Sequence, residues 1–189
     1  MRGDFPAVLD ACVLIPMPLA DMLLRLAGGP RLYLPKWTDD IMAEVSRNLV
    51  ERFGLSKAQA AYRESEIRRH FPEGWVDGYE DLIPAMTNES KDRHVVAAAV
   101  RCQAEVIVTY NRKDFPATSL APYAISVQGP STFLKNLHNL APDAVRQTLE
   151  EQAAAISRPM NYLLERLRVN VPAFVDVILG TEKFGGGNP

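Results

Sequence analysis

A chain of 189 residues with 47% apolar composition is long enough for one α/β core and a small helical appendage. Its formal charge of −2 excludes a protein that holds nucleic acid through overall positive charge, so any such contact is local. Cys12 and Cys102 lie in apolar surroundings without CxxC or His-rich spacing. Neither a disulfide framework nor a zinc site is therefore expected, and both read as core thiols. No run approaches the roughly 20 apolar residues of a membrane span, and MRGDFPAVLD has no signal-peptide apolar region; the expectation is a cytoplasmic chain with no membrane partner.

In chain order, AVLDACVLI reads as a short buried strand over residues 7–10 that runs into a turn. LADMLLRLAGG follows as a helix that tolerates Pro18 in its first turn and stops at Gly28 and Gly29. RLYLP is a second short strand. Thr38 can cap the next helix, whose first turn carries Asp39 and Asp40 at the positive end of the dipole, while Ile41, Val45, Leu49 and Phe53 form its buried stripe. SKAQAAYRESEIRRHF comes next, with Ser56 and Gln59 in capping-box spacing and Pro72 as its end. Residues 75–83 read as an irregular strand and loop.

Ser90, Lys91 and Asp92 open a helix that turns Val95, Val96, Ala99 and Cys102 inward; EVIVTY is a β-branched strand and YAISVQ the last one. From GPSTFLKNLHNL onward the pattern is helical, cut by Pro142, Pro159 and Pro172 into three or four short helices, and the closing GGGNP is expected to be mobile. Leu163, Leu164, Leu167, Val171, Phe174, Val175 and Ile178 form an apolar surface that serves core, dimer or partner contacts. Alternating strands and helices imply α/β class, a parallel sheet with helices on both faces. Two parts are expected, residues 1–137 and a helical extension over 138–189.

In an open parallel sheet, functional groups gather beyond the carboxyl ends of the strands. Asp10 ends the first strand, and Asp114 sits just past the VIVT strand. Asp92 occupies the first turn of the helix that leads down to that strand, so it faces the same edge. Glu44 lies one turn into its helix, on a face shared with Asp40 and Asn48. No local metal motif matches these spacings; the fold is what brings the four acids to one end of the sheet. Converging carboxylates repel one another unless a cation neutralises them. All-oxygen ligation without paired His or Cys favours Mg²⁺ or Mn²⁺ over Zn²⁺, and such an ion suits metal-assisted hydrolysis of a phosphodiester.

The segments VLDACVLI, DDIMAEVSRNL, DRHVVAAAV and VIVTYNRKDFP stand in the order and approximate spacing of a PIN-domain ribonuclease, and the chain most resembles the VapC-type toxins of toxin–antitoxin pairs. The resemblance covers residues 5 to about 137 and is most specific over Thr109 to Pro116. It implies a three-layer α/β/α sandwich around a short parallel sheet, an Mg²⁺- or Mn²⁺-dependent endoribonuclease, a homodimer, and a cognate antitoxin whose C-terminal segment occupies the active-site groove. Carried onto matching positions, it makes Asp10, Glu44, Asp92 and Asp114 the catalytic metal-binding acids, with Thr109 and Asn111 as polar neighbours. The helices after residue 140 resemble an extension that one subgroup carries. One departure stands out: relatives of this subgroup often have two adjacent acids before the alanine-rich helix, and here the first is Lys91, which makes the local field less negative.

Blander readings stand beside these. Asp10 and Asp114 can serve as turn residues, Asp92 as a helix N-terminal charge and Glu44 as a solvated helix residue. Arg112 and Lys113 flank the proposed site and suit an RNA phosphate, or form a solvated pair. Arg68 and Arg69 read as a solvated helix face, and His70, His94 and His138 as surface or capping residues. A phosphatase with an aspartyl nucleophile at Asp10 would carry a second acid where Cys12 stands. The remaining alternative is a catalytically inactive PIN-like module that binds RNA or protein.

Overall fold

The computed structural model describes residues 3–185, with side chains through residue 180. The GGGNP tail lies outside the described residues beyond its first glycine. Four short strands, β1 (Pro6–Leu9), β2 (Leu34–Lys36), β3 (Val106–Val108) and β4 (Ser126–Gln128), form one parallel sheet in the order β2-β1-β3-β4. β1 and β3 are buried over almost their whole length, as all-parallel strands covered on both faces must be.

Between the strands run α1 (Ala11–Leu14), α2 (Met17–Gly28), α3 (Asp39–Glu51), α4 (Lys57–His70), α5 (Arg93–Arg101) and the short α6 (Ala117–Leu120). The chain steps from β1 to β2 on one side and reaches β3 on the other. Right-handed crossovers then place the helices of the two steps on opposite faces, so the α/β class and its flanked parallel sheet stand as expected. The reversal of direction falls between β1 and β3, the place where an open α/β sheet forms a crevice at its carboxyl edge.

Local signals account for most helix limits. Thr38 accepts the Ile41 N–H at 3.1 Å, and Ser56 and Gln59 form a reciprocal capping box at 3.2 and 2.9 Å. Ser56→Ala is expected to cost about 1 kcal/mol, measured as a lowered urea midpoint with an unchanged m-value. The stripe Ile41, Val45 and Leu49 is buried, but Phe53 is 59% exposed because α3 ends at Glu51. Asp39 does more than complement the helix dipole: it accepts from Arg68 Nη2 and Trp75 Nε1, each at 2.7 Å, and Arg68 also lies over the Trp75 ring. Residues 75–83 are less strand-like than expected. Trp75 makes a single parallel bridge to Trp37, and Glu80–Ala85 is a 3-10 helix. Gly74 permits that bridge, since a Cβ there would meet the Trp37 ring at 2.7 Å.

Of the last four helices, α7 (Pro130–Leu140) begins at Pro130, and α8 (Pro142–Ala155), α9 (Met160–Arg168) and α10 (Pro172–Gly185) begin at or just after the expected Pro142, Pro159 and Pro172. They pack on one another, and α8 and α9 also pack on α2. Leu163, Leu164, Leu167, Val171, Phe174, Val175 and Ile178 are all buried within this one chain, which settles their role as core. His138 is a correction: it is buried on α7, and burial holds its ring below the usual histidine range. Cys12 and Cys102 are free and only partly buried, less enclosed than core thiols. No helix among the described residues is long and apolar enough to cross a membrane.

Candidate active site

Asp10 leaves the sheet in extended backbone, its N–H bonded to the Val108 carbonyl at 3.1 Å, so neighbouring strand β3 fixes where it stands. It occupies the N-cap position of α1, and Asp92 that of α5. An acid at this position ordinarily accepts from the first-turn N–H groups. Neither side chain does so, whereas Thr38 and Ser56 cap their helices in the ordinary way. Both carboxylates are therefore free of the capping duty that a bland reading would assign them.

Polar bonds join the carboxyl ends of β1 and β3. Asp10 Oδ2 accepts the Thr109 hydroxyl at 2.6 Å and the Cys12 thiol at 3.2 Å. Thr109 Oγ1 accepts the Asn111 N–H at 2.9 Å, and Cys12 Sγ accepts the Tyr110 N–H at 3.3 Å. Asp10 is 4% exposed and Thr109 fully buried, so these bonds form where leaving a polar group unpaired is costly. Burial, with the Asp10 charge beside it, pushes the Cys12 thiol up to about 12, so it is a donor here and not a nucleophile. Cys12 is the site residue that sequence reasoning missed: two positions past an N-cap acid, its side chain reaches the carboxylate that the backbone leaves unused.

Asp92 and Asp114 come in from the other side. The Asp92 N–H bonds the Glu89 carbonyl at 2.9 Å, the Glu89 N–H bonds the Asp114 carbonyl at 3.3 Å, and the Asp114 N–H bonds the Asn111 carbonyl at 2.9 Å. Between the two carboxylates lies Lys91, with Nζ 3.0 Å from Asp114 Oδ2 and 3.7 Å from Asp92 Oδ2. Asp92 is 8% exposed, and its Oδ2 accepts no hydrogen bond among the described residues. Burial pushes its carboxyl up to about 6; Lys91 opposes the shift, and the negative charges of Asp10 and Asp114 reinforce it. Asp114 moves the other way, held below the usual carboxylate range by the Lys91 ammonium.

Asp10, Asp92 and Asp114 thus share one field at the carboxyl edge of the sheet. Glu44 does not join them by any bond: it is half-buried on α3, its carbonyl accepts from Asn48 Nδ2 at 2.9 Å, and its carboxylate has no hydrogen bond or ion pair among the described residues. Asn111, Arg112 and Lys113 are exposed. Arg112 and Lys113 line a concavity of about 900 Å³ with Tyr110, Phe115 and the β4 edge, and none of the four acids lines it. Another, of about 450 Å³ between α2 and α4, is lined by none of the four acids. Tyr110 also donates from its hydroxyl to the Asn170 carbonyl at 3.0 Å, which ties the loop after β3 to the turn between α9 and α10.

As they stand, no three His, Cys, Asp or Glu side chains among the described residues are spaced to hold a metal ion. The donor set nonetheless fits a hard divalent cation. Asp92 Oδ2 and Asp114 Oδ2 are buried and accept no hydrogen bond among the described residues, the bonds to Asp10 fall on Oδ2, and the acids offer only oxygen ligands.

No family model matches the chain, and no solved structure matches it. Over 100 residues the chain is 45% identical to “Putative ribonuclease VapC50” of Mycobacterium tuberculosis (strain ATCC 25618 / H37Rv), a match that takes in 51% of this chain. The chain spans 59% of the length of that relative. Across about half of its own length, the chain is thus a homologue of a protein bearing a VapC ribonuclease name.

Proposed function

We propose that the chain is a metal-dependent endoribonuclease of the PIN-domain, VapC type, with residues 1–137 as the nuclease part and 138–189 as a helical extension. One observation carries the reading: two buried N-cap acids, Asp10 and Asp92, decline to cap their helices and share a field with Asp114. The homology to a VapC-named ribonuclease supports it.

Asp10, Asp92 and Asp114, with Glu44 brought in from α3, would hold Mg²⁺ or Mn²⁺. When bound, such an ion activates water for attack on phosphorus and offsets charge on the phosphodiester oxygens. Thr109 and Cys12 fix the rotamer of Asp10 by donating to one oxygen, which leaves Oδ1 for the ion. Asn111 holds the Thr109 hydroxyl in the orientation that makes this possible. Arg112 and Lys113 are exposed next to Asp114 in the chain, and their charge suits phosphate oxygens of the RNA backbone. In this reading the protein is the toxin of a toxin–antitoxin pair, acts as a homodimer in the cytoplasm, and is silenced by a cognate antitoxin in the active-site groove.

The ion pairs of Lys91 favour one second reading, a PIN-like module that binds RNA or protein without cutting it, because they partly satisfy the acids without a metal. Cleavage of a labelled total-RNA pool by the purified chain, free of any antitoxin, separates the two. Fragmentation with Mg²⁺ or Mn²⁺ that stops on adding EDTA is the expected result. Intact RNA in every condition, from folded protein, would favour the binding module.

A further inference from the structure

Tyr110 and the concavity it lines have no task in the chemistry above. The residue follows Thr109 at the end of β3. Its N–H bonds Cys12 Sγ at 3.3 Å and that thiol donates to Asp10 Oδ2 at 3.2 Å, so two hydrogen bonds link this backbone to the first acid. Its hydroxyl donates to the Asn170 carbonyl at 3.0 Å. The side chain is thus held at both ends, by the loop after β3 and by the turn between α9 and α10. It is still 40% exposed, and no other aromatic ring or cation lies against its ring among the described residues. A tyrosine fixed in this way loses little conformational entropy when another flat group stacks on it.

The concavity, of about 900 Å³, has room for a nucleotide and joins two kinds of lining. Phe115, Leu120 and Ile125 line it and are buried, whereas Arg112 and Lys113 line it, are exposed and enter no ion pair among the described residues. Cations beside an open aromatic ring match the two parts of a single-stranded nucleic acid, whose phosphates pair with charge and whose bases stack. We propose that this concavity is a nucleotide subsite for single-stranded RNA, with an unpaired base stacked on the Tyr110 ring and the adjoining phosphates held by Arg112 and Lys113. The subsite rests on the nuclease reading above and deepens it: it selects unpaired RNA, since a base within a duplex is already stacked on its neighbours. It also gives the helical extension a task, because the Asn170 carbonyl that holds Tyr110 belongs to that extension.

Equilibrium binding in EDTA tests this apart from cleavage. Fluorescence anisotropy of a short labelled single strand, followed over a range of salt, would compare the wild-type chain with Tyr110→Leu, Tyr110→Phe and the double variant Arg112→Gln/Lys113→Gln. The same sequence as a duplex is the control, and circular dichroism would verify that each protein is folded. Tyr110→Leu should lose about tenfold in affinity for the single strand at every salt concentration and nothing for the duplex. Tyr110→Phe gives up the Asn170 bond but keeps the ring, and should stay within about threefold of wild type. The double variant should bind more weakly, with a shallower salt dependence. Wild-type affinity in Tyr110→Leu, an equal loss in Tyr110→Phe, an equal loss on the duplex, an unaltered salt dependence in the double variant, or no RNA binding by the wild-type chain would each overturn the inference. Metal-dependent cleavage is read separately, so failure of this subsite leaves the nuclease reading standing.

Discussion

Asp10→Asn is expected to lower metal-dependent RNA cleavage by about 10³-fold while leaving the fold intact. The substitution removes the charge that attracts the cation and keeps the shape of the side chain. The amide oxygen can still accept the Thr109 hydroxyl, which now reaches Asp10 Oδ2 at 2.6 Å, and the backbone bond from position 10 to the Val108 carbonyl is untouched. Initial rates at saturating Mg²⁺, read beside thermal unfolding of both proteins, would check it. A variant that unfolds at the wild-type temperature and cuts at the wild-type rate would remove Asp10 from the chemistry.

Asp92→Asn should show two opposite effects: a comparable loss of cleavage and a gain in stability of the metal-free protein. The sign follows from linkage. The folded-state pKa of Asp92 is raised to about 6, above the usual carboxylate value near 3.9, so the folded protein binds the proton more tightly than the unfolded chain. Asp92 therefore costs no stability below the unfolded pKa, and the cost grows as pH rises from about 4 to 6 and persists above. With allowance for solvent screening it amounts to about 1–2 kcal/mol at pH 7.5, or a Tm increase of a few degrees in the variant. At pH 4 the two proteins should unfold at nearly the same temperature. A variant less stable than wild type at pH 7.5 would mean that Asp92 is a structural acid after all.

Both expectations depend on features that the sequence displayed unequally. The strands around Val8 and Ile107, the Ser56 cap and the prolines that open the last helices are local signals, and they located most of the fold. The convergence of Asp10, Asp92 and Asp114 followed from the parallel topology, since none of the three is near another in sequence. Other features escaped. The end of α3 left Phe53 in solvent, because a four-residue repeat says nothing about where a helix frays. The burial of His138 depended on α7 being covered by α8 and α10, which a helix pattern alone does not reveal. The thiol contact of Cys12 and the bridging position of Lys91 are side-chain geometry, visible only once the loops were placed.

The resemblance to PIN-domain toxins gave Asp10, Asp92 and Asp114 a common role, and the structure brings those three into one field. Glu44 is the proposed ligand that rests most on resemblance, since its carboxylate has no hydrogen bond or ion pair among the described residues. The apolar residues of the extension, from Leu163 to Ile178, are spent on the chain's own core, so a partner that contacts these helices must do so through other residues.

In the proposed chemistry, water activated at the acid cluster is the nucleophile. End analysis of RNA fragments, made with Mg²⁺ and with EDTA controls, tests that directly. Water attack leaves a linear phosphate on one side of each cut and a free hydroxyl on the other, and EDTA abolishes the fragments. Ends carrying 2′,3′-cyclic phosphate, or fragments that persist in EDTA and in Asp10→Asn, would show that the RNA's own 2′-hydroxyl does the work and would contradict the account.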